Sequence, residues 1–279
     1  MNRGTLFVVA TPLGNLGDLS PRAAEVLRTV HVVAAEDTRE SRKLLDHVGA
    51  RVRLTSYHAH SADGKREEIL AALAGGKDVA LVSDAGTPTV SDPGADLIRD
   101  ALDAGSRVIP IPGPSAVTTA LSGSGLPADR YLFLGFLPRK GVERDEWLGR
   151  ALASPVTVVV FEAPGRVASL LEDWQALGGG ARRAVVAREL TKIYEEFRFG
   201  TVDELIGKLE EVPPRGECTV VLESAPVADK ADAVDPRISQ VVRVLRAQGV
   251  ERRTIAQVLS EGFEMPRNEA YRISIGEDE

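Results

Sequence analysis

Short apolar runs alternate with longer amphipathic stretches from the start of the chain. Leu6–Ala10 is continuous and apolar, as expected of a strand buried on both faces, and Ser20-Pro21 reads as an N-cap and first helical turn. His31–Ala35 is a second apolar run, ending abruptly in Glu36-Asp37-Thr38. The spacing then predicts a helix over Ser41–Val48 stopped at Gly49, a strand over Val52–Tyr57, and a helix over Lys65–Ala74 ended by Gly75-Gly76. Val79–Ser83 is a further strand, and Asp92-Pro93 is expected to open a helix that Gly105 closes. Arg107–Ile111 is the next strand, terminated by Pro112-Gly113-Pro114. Strict alternation of this kind predicts a parallel sheet with helices on both faces. Ligands of such sheets sit beyond the carboxyl ends of the strands, so the loops leaving those strands are the place to look for chemistry.

The second half is mixed. Tyr131–Phe136 and Val156–Phe161 read as strands around a helix from about Glu143 to Leu152. Val167–Leu177 is helical until Gly178-Gly179-Gly180. Ala184–Glu189, Ile193–Phe199 and Glu217–Glu223 are expected strands, with a helix near Val202–Glu211. Adjacent strands without a crossover imply antiparallel neighbours. The expected fold class is therefore α/β: an N-terminal domain with a parallel sheet (1–113), a second α/β domain with a mixed sheet (114–225), and a small helical C-terminal region (236–279). Ala225–Asp235 is a polar, Ala/Asp-rich linker, and the tail carries helices at Ile238–Ala247, Ile255–Glu261 and from Asn268.

Composition supports two cores: 279 residues are 43% hydrophobic and 27% charged. The lone Cys218 excludes an internal disulfide framework and a Cys-rich zinc site. The apolar run near the N-terminus is too short for a signal-peptide core, and no stretch approaches the roughly 18 apolar residues of a membrane helix. A cytoplasmic protein without membrane contact is expected. Formal charge is −7 and the isoelectric point near 5.3, so no global field holds nucleic acid. An RNA partner would have to meet a local basic patch.

Several loops carry unusual residues. Thr11-Pro12-Leu13-Gly14-Asn15-Leu16-Gly17 permits close approach of a ligand to backbone N–H groups, yet its Gly-x-x-Gly spacing is not that of a dinucleotide fold. Ser83-Asp84-Ala85-Gly86-Thr87-Pro88 begins a run of small, polar and proline residues up to Gly94 that contains one larger apolar residue, Val90. Pro110-Ile111-Pro112-Gly113-Pro114 fixes the backbone ahead of Ser115-Ala116, which opens a helix of small residues. Glu162-Ala163-Pro164-Gly165-Arg166 and Ala187-Arg188-Glu189-Leu190-Thr191-Lys192 place charged side chains on strand ends. His58-x-His60 with Asp63 lacks a third ligand at convincing spacing, so no metal is expected. Phosphate-binding P-loop and nucleophile-elbow motifs are missing.

Taken together and in order, Thr-Pro-Leu-Gly-Asn-Leu-Gly-Asp (11–18), Ala-Glu-Asp-Thr-Arg (35–39), Val-Ser-Asp-Ala-Gly-Thr-Pro (82–88), Pro-Gly-Pro-Ser-Ala (112–116), Gly-Phe-Leu-Pro-Arg-Lys (135–140) and Ala-Arg-Glu-Leu-Thr-Lys (187–192) resemble the ribosomal-RNA branch of the tetrapyrrole methylase superfamily. The likeness runs from about Leu6 to Glu223, with a similar tail at Pro-Arg-Asn-Glu-Ala-Tyr (266–271). It implies two α/β domains with S-adenosylmethionine in the cleft between them, a homodimer, and 2′-O-methylation of a cytidine in the decoding centre of 16S rRNA in the small ribosomal subunit. By position, it implies donor contacts at Pro12, Ser83, Asp84, Ala85, Ser115, Ala116, Glu162, Ala163 and Leu190. One departure is Gly165, where the family usually has a histidine; Arg166 remains. The superfamily's C-methylation of a tetrapyrrole is the alternative activity, and a non-catalytic nucleotide-binding module a second.

A ribose hydroxyl is a weak nucleophile, so a general base should help. Glu36 and Asp37 rank first among strand-end carboxylates, ahead of Glu162 and Glu189, with the imidazole of His58 a further candidate nearby. A structural role for the two in capping and pairing with Arg39 and Arg42 is equally consistent with the sequence. Arg39, Arg42, Lys43, Arg139, Lys140, Arg166 and Lys192 are the expected RNA contacts. The alternative for these is an ordinary solvated surface balanced by neighbouring acids.

Overall fold

The structure is a computed structural model that describes residues 3–58, 63–226, 236–263 and 265–275. Strands β1 (Thr5–Val9), β2 (Val32–Ala35), β3 (Arg53–Ser56), β4 (Val79–Val82) and β5 (Arg107–Ile111) form one parallel sheet in the order β3-β2-β4-β1-β5. Alternate residues feed opposite faces, which is why the runs of the inner strands β1, β2 and β4 are continuously apolar, unlike the edge strand β3. Val33, Ala35, Ala80 and Val82 pack under α1 (Pro21–Thr29) and α2 (Thr38–His47). Val32, Ala34, Val79 and Leu81 meet α3 (Asp63–Ala74) and α4 (Ala95–Asp103) on the other side. Ser20 caps α1, accepting from the Ala23 N–H, with Pro21 at the first helical position.

The second sheet joins β6 (Tyr131–Phe136), β7 (Thr157–Glu162), β8 (Arg183–Arg188), β9 (Glu196–Thr201) and β10 (Cys218–Leu222) in the order β6-β7-β10-β8-β9. Only β6 and β7 run parallel; the remaining pairs are antiparallel. One face packs on α6 (Val142–Ala153), α7 (Val167–Trp174) and α8 (Val202–Glu211), through Val158, Val160, Val186 and Val220. The other packs on α5 (Ala116–Ser124) through Val159, Val185 and Val221, and takes in Leu13 from the loop after β1. Burying one such aliphatic side chain contributes roughly 1.5–3 kcal/mol, so Leu13 ties the first half to the second.

Two local expectations are corrected. Asp92-Pro93 does not open a helix: α4 starts at Ala95 after Gly94, whose φ of +130° breaks the chain direction. Ile193 and Tyr194 are not in a strand; they lie in the reversal before β9, 90% and 69% exposed, because Glu189 and Thr191 take left-handed conformations that turn the chain early.

The chain falls into two compact units, Met1–Ala225 and Pro226–Glu279. Both sheets belong to the first, and residue 113 lies between β5 and α5. In the second, α9 (Pro236–Ala247), α10 (Arg252–Gly262) and α11 (Arg267–Ile275) enclose Ile238, Val242, Ile255, Leu259 and Ala270. The expected linker lies mostly outside the described residues. No helix among the described residues is long and apolar enough to cross a membrane.

Candidate functional site

Three loops at the carboxyl edge of the parallel sheet are bonded into one body. Thr11 and Gly86 exchange backbone hydrogen bonds of 2.8 and 3.0 Å, and the Thr11 hydroxyl donates to the Ser83 carbonyl at 3.2 Å. Thr87 Oγ1 donates to the Pro114 carbonyl at 3.1 Å, fastening the β4 loop to the β5 loop. The β4 loop is also strained: Thr89 and Ser91 hold φ values of +74° and +66°. Each such non-glycine residue costs on the order of 1–3 kcal/mol, and strain of this kind gathers at functional sites.

Between these loops and the second sheet lies a cleft of about 660 Å³. Its walls bring together many of the expected residues: Glu36, Asp84, Ala85, Ser115, Ala116, Glu162, Ala163 and Lys192. Pro12, Ser83 and Leu190 are buried but do not line it. Asp37 is engaged elsewhere, capping α2 through the Arg39 N–H at 2.8 Å and pairing with the Arg39 guanidinium at 2.6 Å. Those bonds hold its carboxyl down to about 2. Arg39, Arg42, Lys43, Arg139 and Lys140 are exposed and outside the lining, with Lys43 on Glu40 at 2.8 Å. His60 lies outside the described residues, as does the side chain of Asp63.

The cleft also contains residues that the motifs did not single out. Asp92 was read as a helix start, and the strained loop turns it into the cleft instead. Phe136 and Phe161 form an aromatic wall, and Gly216–Thr219 at the start of β10 close the far side. Phe136 lies inside a quoted motif and Phe161 just before one, so adjacency to a strand end was the available signal. Gly216-Glu217 carried none.

Six carboxylates surround the space: Glu36, Asp84, Asp92, Glu162, Glu189 and Glu217. Glu36 accepts a hydrogen bond from the Asp84 backbone, but burial, then Asp92 and Asp84, push its proton affinity above the usual carboxylate range. Asp92 is likewise raised by burial, although the Ser83 hydroxyl bonds to it. Across the cleft Glu162 is 2% exposed; its Oε1 accepts from the Ala163 N–H at 2.9 Å. Its Oε2 has no hydrogen-bond donor among the described residues, with Arg166 Nη2 standing 3.3 Å away as an ion pair and Arg144 at 4.0 Å. At the rim Lys192 Nζ bonds Glu189 at 3.0 Å and Glu217 at 2.9 Å. Burial lowers the Lys192 affinity for its proton, and these two carboxylates more than restore it. Burial pushes the Cys218 thiol up to about 11, so it stays protonated and is no nucleophile.

The sequence pattern of the Tetrapyrrole (Corrin/Porphyrin) Methylases matches residues 5–206. Ribosomal RNA small subunit methyltransferase I of Synechocystis sp. is 42% identical over 98% of both chains. Its namesake in Xylella fastidiosa is 48% identical over 84% of this chain and 86% of its own, and that of Escherichia coli O157:H7 45% identical over 80% and 78%. The chain belongs to this branch of the tetrapyrrole methylase family. Solved structures agree on the family fold: cobalt precorrin-4 methyltransferase superposes with a TM-score of 0.62 at 16% identity, covering 78% of this chain and 94% of that one. Uroporphyrin-III C-methyl transferase from Thermus thermophilus, complexed with S-adenosyl homocysteine, gives 0.57 at 19% identity over 79% and 97%.

The cleft suits the family's methyl donor on its own chemistry. A sulfonium and an ammonium are cations, and Glu36, Asp84 and Asp92 supply a negative wall. Ala85, Ser115, Ala116 and Ala163 leave room for close approach, and Glu162 Oε2 is a buried acceptor in want of a donor. Ser115 caps α5 without a side-chain bond, so its hydroxyl remains available.

Proposed function

We propose that the protein transfers a methyl group from S-adenosylmethionine to the ribose 2′-hydroxyl of a cytidine in the decoding centre of 16S rRNA, acting on the small ribosomal subunit. The observation that carries this is the end-to-end likeness to ribosomal RNA small subunit methyltransferase I, 42% identical over 98% of the chain. The carboxylate-lined cleft is consistent with it. Pro12, Ser83, Asp84, Ala85, Ser115, Ala116, Glu162, Ala163 and Leu190 are assigned to the donor side, those buried behind the wall shaping it. Arg39, Arg42, Lys43, Arg139, Lys140, Arg166 and Lys192 are assigned to RNA, and no metal is assigned. The protein acts in the cytoplasm as a homodimer of chains divided at 1–113, 114–225 and 236–279; the exposed Ile193, Tyr194 and Phe199 supply apolar surface for a second copy.

When bound, S-adenosylmethionine supplies an electrophilic methyl group whose departing sulfur becomes a neutral thioether. Glu36 is the base that takes the hydroxyl proton, because it alone of the two ranked carboxylates lines the cleft. Its raised proton affinity makes it a stronger base than an ordinary carboxylate, and such a base contributes roughly 10²–10⁴-fold. The larger share comes from fixed geometry, worth up to about 7–11 kcal/mol. The three loops bonded through Thr11, Gly86, Thr87 and Pro114 give the cleft floor that rigidity.

The test uses small ribosomal subunits lacking 2′-O-methylation at the decoding centre, incubated with the protein and labelled S-adenosylmethionine. Label mapped to one cytidine ribose of 16S rRNA is expected. Donor binding without transfer to RNA would redirect the assignment to a tetrapyrrole acceptor.

A further inference from the structure

The aromatic wall of the cleft depends on a fault in β6. Residues three apart in a regular strand point to opposite faces. Phe133 and Phe136 nevertheless both reach Phe161 on β7, with ring centroids 4.8 and 5.5 Å apart. The pairing register explains how: Phe133 faces Val159 while Phe136 faces Phe161, so β6 holds one residue more than β7 over this stretch. Gly135 absorbs the extra residue with a φ of +62°, a conformation open to glycine, and the space above it is limited by Ser91 Oγ of the strained β4 loop, 3.2 Å from where a Cβ would stand. Bulges next to active sites re-aim a side chain, and this one turns Phe136 into the mouth of the cleft.

The ring it delivers is not core. Phe136 is 61% exposed, tilted against Phe161 at an interplanar angle of 58°. Apolar surface kept in water at the lip of a polar cleft marks a contact site. The chain beyond it is pinned: the Pro138 carbonyl accepts from Arg144 at 3.0 Å and Arg166 at 3.4 Å. Next come Arg139 and Lys140, exposed and without an ion pair among the described residues. Four residues of extended chain span at most about 14 Å. Phosphates flanking a planar group stacked on Phe136 therefore come within reach of both cations. An aromatic face beside cations on a pinned loop is the arrangement that binds single-stranded nucleic acid, the ring stacking a base and the cations holding its backbone.

We propose that Phe136 is the platform on which a nucleobase of the RNA acceptor stacks, with Gly135 as the bulge that aims it and Arg139 and Lys140 as its phosphate contacts. This rests on the assignment of an RNA acceptor made above, and it names a subsite that assignment does not. In this assignment the ring serves acceptor affinity and leaves donor affinity alone.

The experiment compares wild type, Phe136→Ala and Phe136→Tyr on small subunits lacking the modification, with donor affinity measured by calorimetry in the absence of RNA. Phe136→Ala is expected to lower kcat/KM for the subunit roughly ten- to hundredfold, mainly through KM, the loss of one base stack. Phe136→Tyr keeps the ring and is expected to stay within about threefold of wild type, on the same reasoning. Donor affinity in both should match wild type, which also reports intact folding. A Phe136→Ala protein with unchanged subunit kinetics, while wild type methylates the RNA, overturns the platform and leaves the RNA assignment standing. A matching loss of donor affinity in Phe136→Ala overturns it too, by giving the ring to the donor. Absence of transfer by wild type overturns both.

Discussion

Burial and the neighbouring Asp92 and Asp84 raise the proton affinity of Glu36, and the Asp84 backbone N–H only partly opposes them. A base must be ionised to act, so the rate should climb as pH rises through this elevated pKa. Removing one negative neighbour lowers that pKa. Asp92→Asn is therefore expected to move the acid limb of the kcat profile to lower pH, whereas Glu36→Gln lowers kcat roughly 10²–10⁴-fold with donor affinity kept. An acid limb unmoved in Asp92→Asn would count against Glu36 as the base. Arg144 makes a second residue-level case. Its side chain is 7% exposed, bonded to Asp173 at 2.6 Å and to the Pro138 carbonyl, with Glu162 at 4.0 Å. Arg144→Ala leaves the buried Glu162 with Arg166 alone and removes the bonds to Asp173 and Pro138, an expected loss of about 1.5–3 kcal/mol, to be read from urea denaturation. At this scale the sequence was informative where a motif named a residue and silent on what the residue was doing. Glu36 and Asp37 are chain neighbours of one type, yet one enters the cleft and the other caps α2. That outcome depends on where β2 ends, by a single residue.

The inner strands of the parallel sheet, β1, β2 and β4, were legible because each is a continuous apolar run, and burial on both faces requires one, whereas the edge strand β3 shows only alternation. The order of the second sheet was not. β10 sits between β7 and β8, which are nearer in sequence to each other, and no local pattern records a pairing made by a strand that arrives later. The β8–β9 reversal was misjudged for a related reason. Its left-handed positions are Glu189 and Thr191, which lack the Gly or Asn that signals such a turn, and the apolar Ile193-Tyr194 beyond them imitates a strand. The β4 loop carries the same lesson with a measurable consequence. Gly94 holds φ at +130° and a Cβ there would stand 2.6 Å from Leu81 Cδ2, inside the core under α4. Gly94→Ala must force the backbone and displace a fully buried leucine together, which predicts a loss of about 2–4 kcal/mol in chemical denaturation. Because Asp92 rides on the same loop, the variant should also weaken donor binding when assayed well below its melting temperature. A Gly94→Ala protein as stable as wild type would mean the loop relaxes freely and does not hold Asp92 in place.

For the molecule as a whole, a formal charge of −7 has to be reconciled with an RNA acceptor. Of the seven cations assigned to RNA, four are paired: Arg39 with Asp37, Lys43 with Glu40, Lys192 with Glu189 and Glu217, Arg166 with Glu162. Arg42, Arg139 and Lys140 have no ion pair among the described residues and are the cations ready for phosphates. Few phosphate contacts mean few released counterions. For about three to five contacts the logarithm of affinity should fall with the logarithm of salt concentration at a slope of roughly −2 to −4, well short of a protein built on electrostatic grip. Weak grip must be supplemented by shape, through surfaces that an assembled subunit presents and a flexible RNA chain does not. Protein-free 16S rRNA at moderate salt is therefore expected to be methylated at least about tenfold less efficiently than the small subunit, a gap of about 1.4 kcal/mol. Measuring kcat/KM on both substrates across a salt series checks the two expectations at once. A slope of about −5 to −6 would bring the paired cations Arg39, Lys43, Arg166 and Lys192 into the interface as well, which requires their carboxylate partners to release them on binding. Equal efficiency on naked RNA would show that the cleft and its few free cations suffice, and that the subunit contributes accessibility alone.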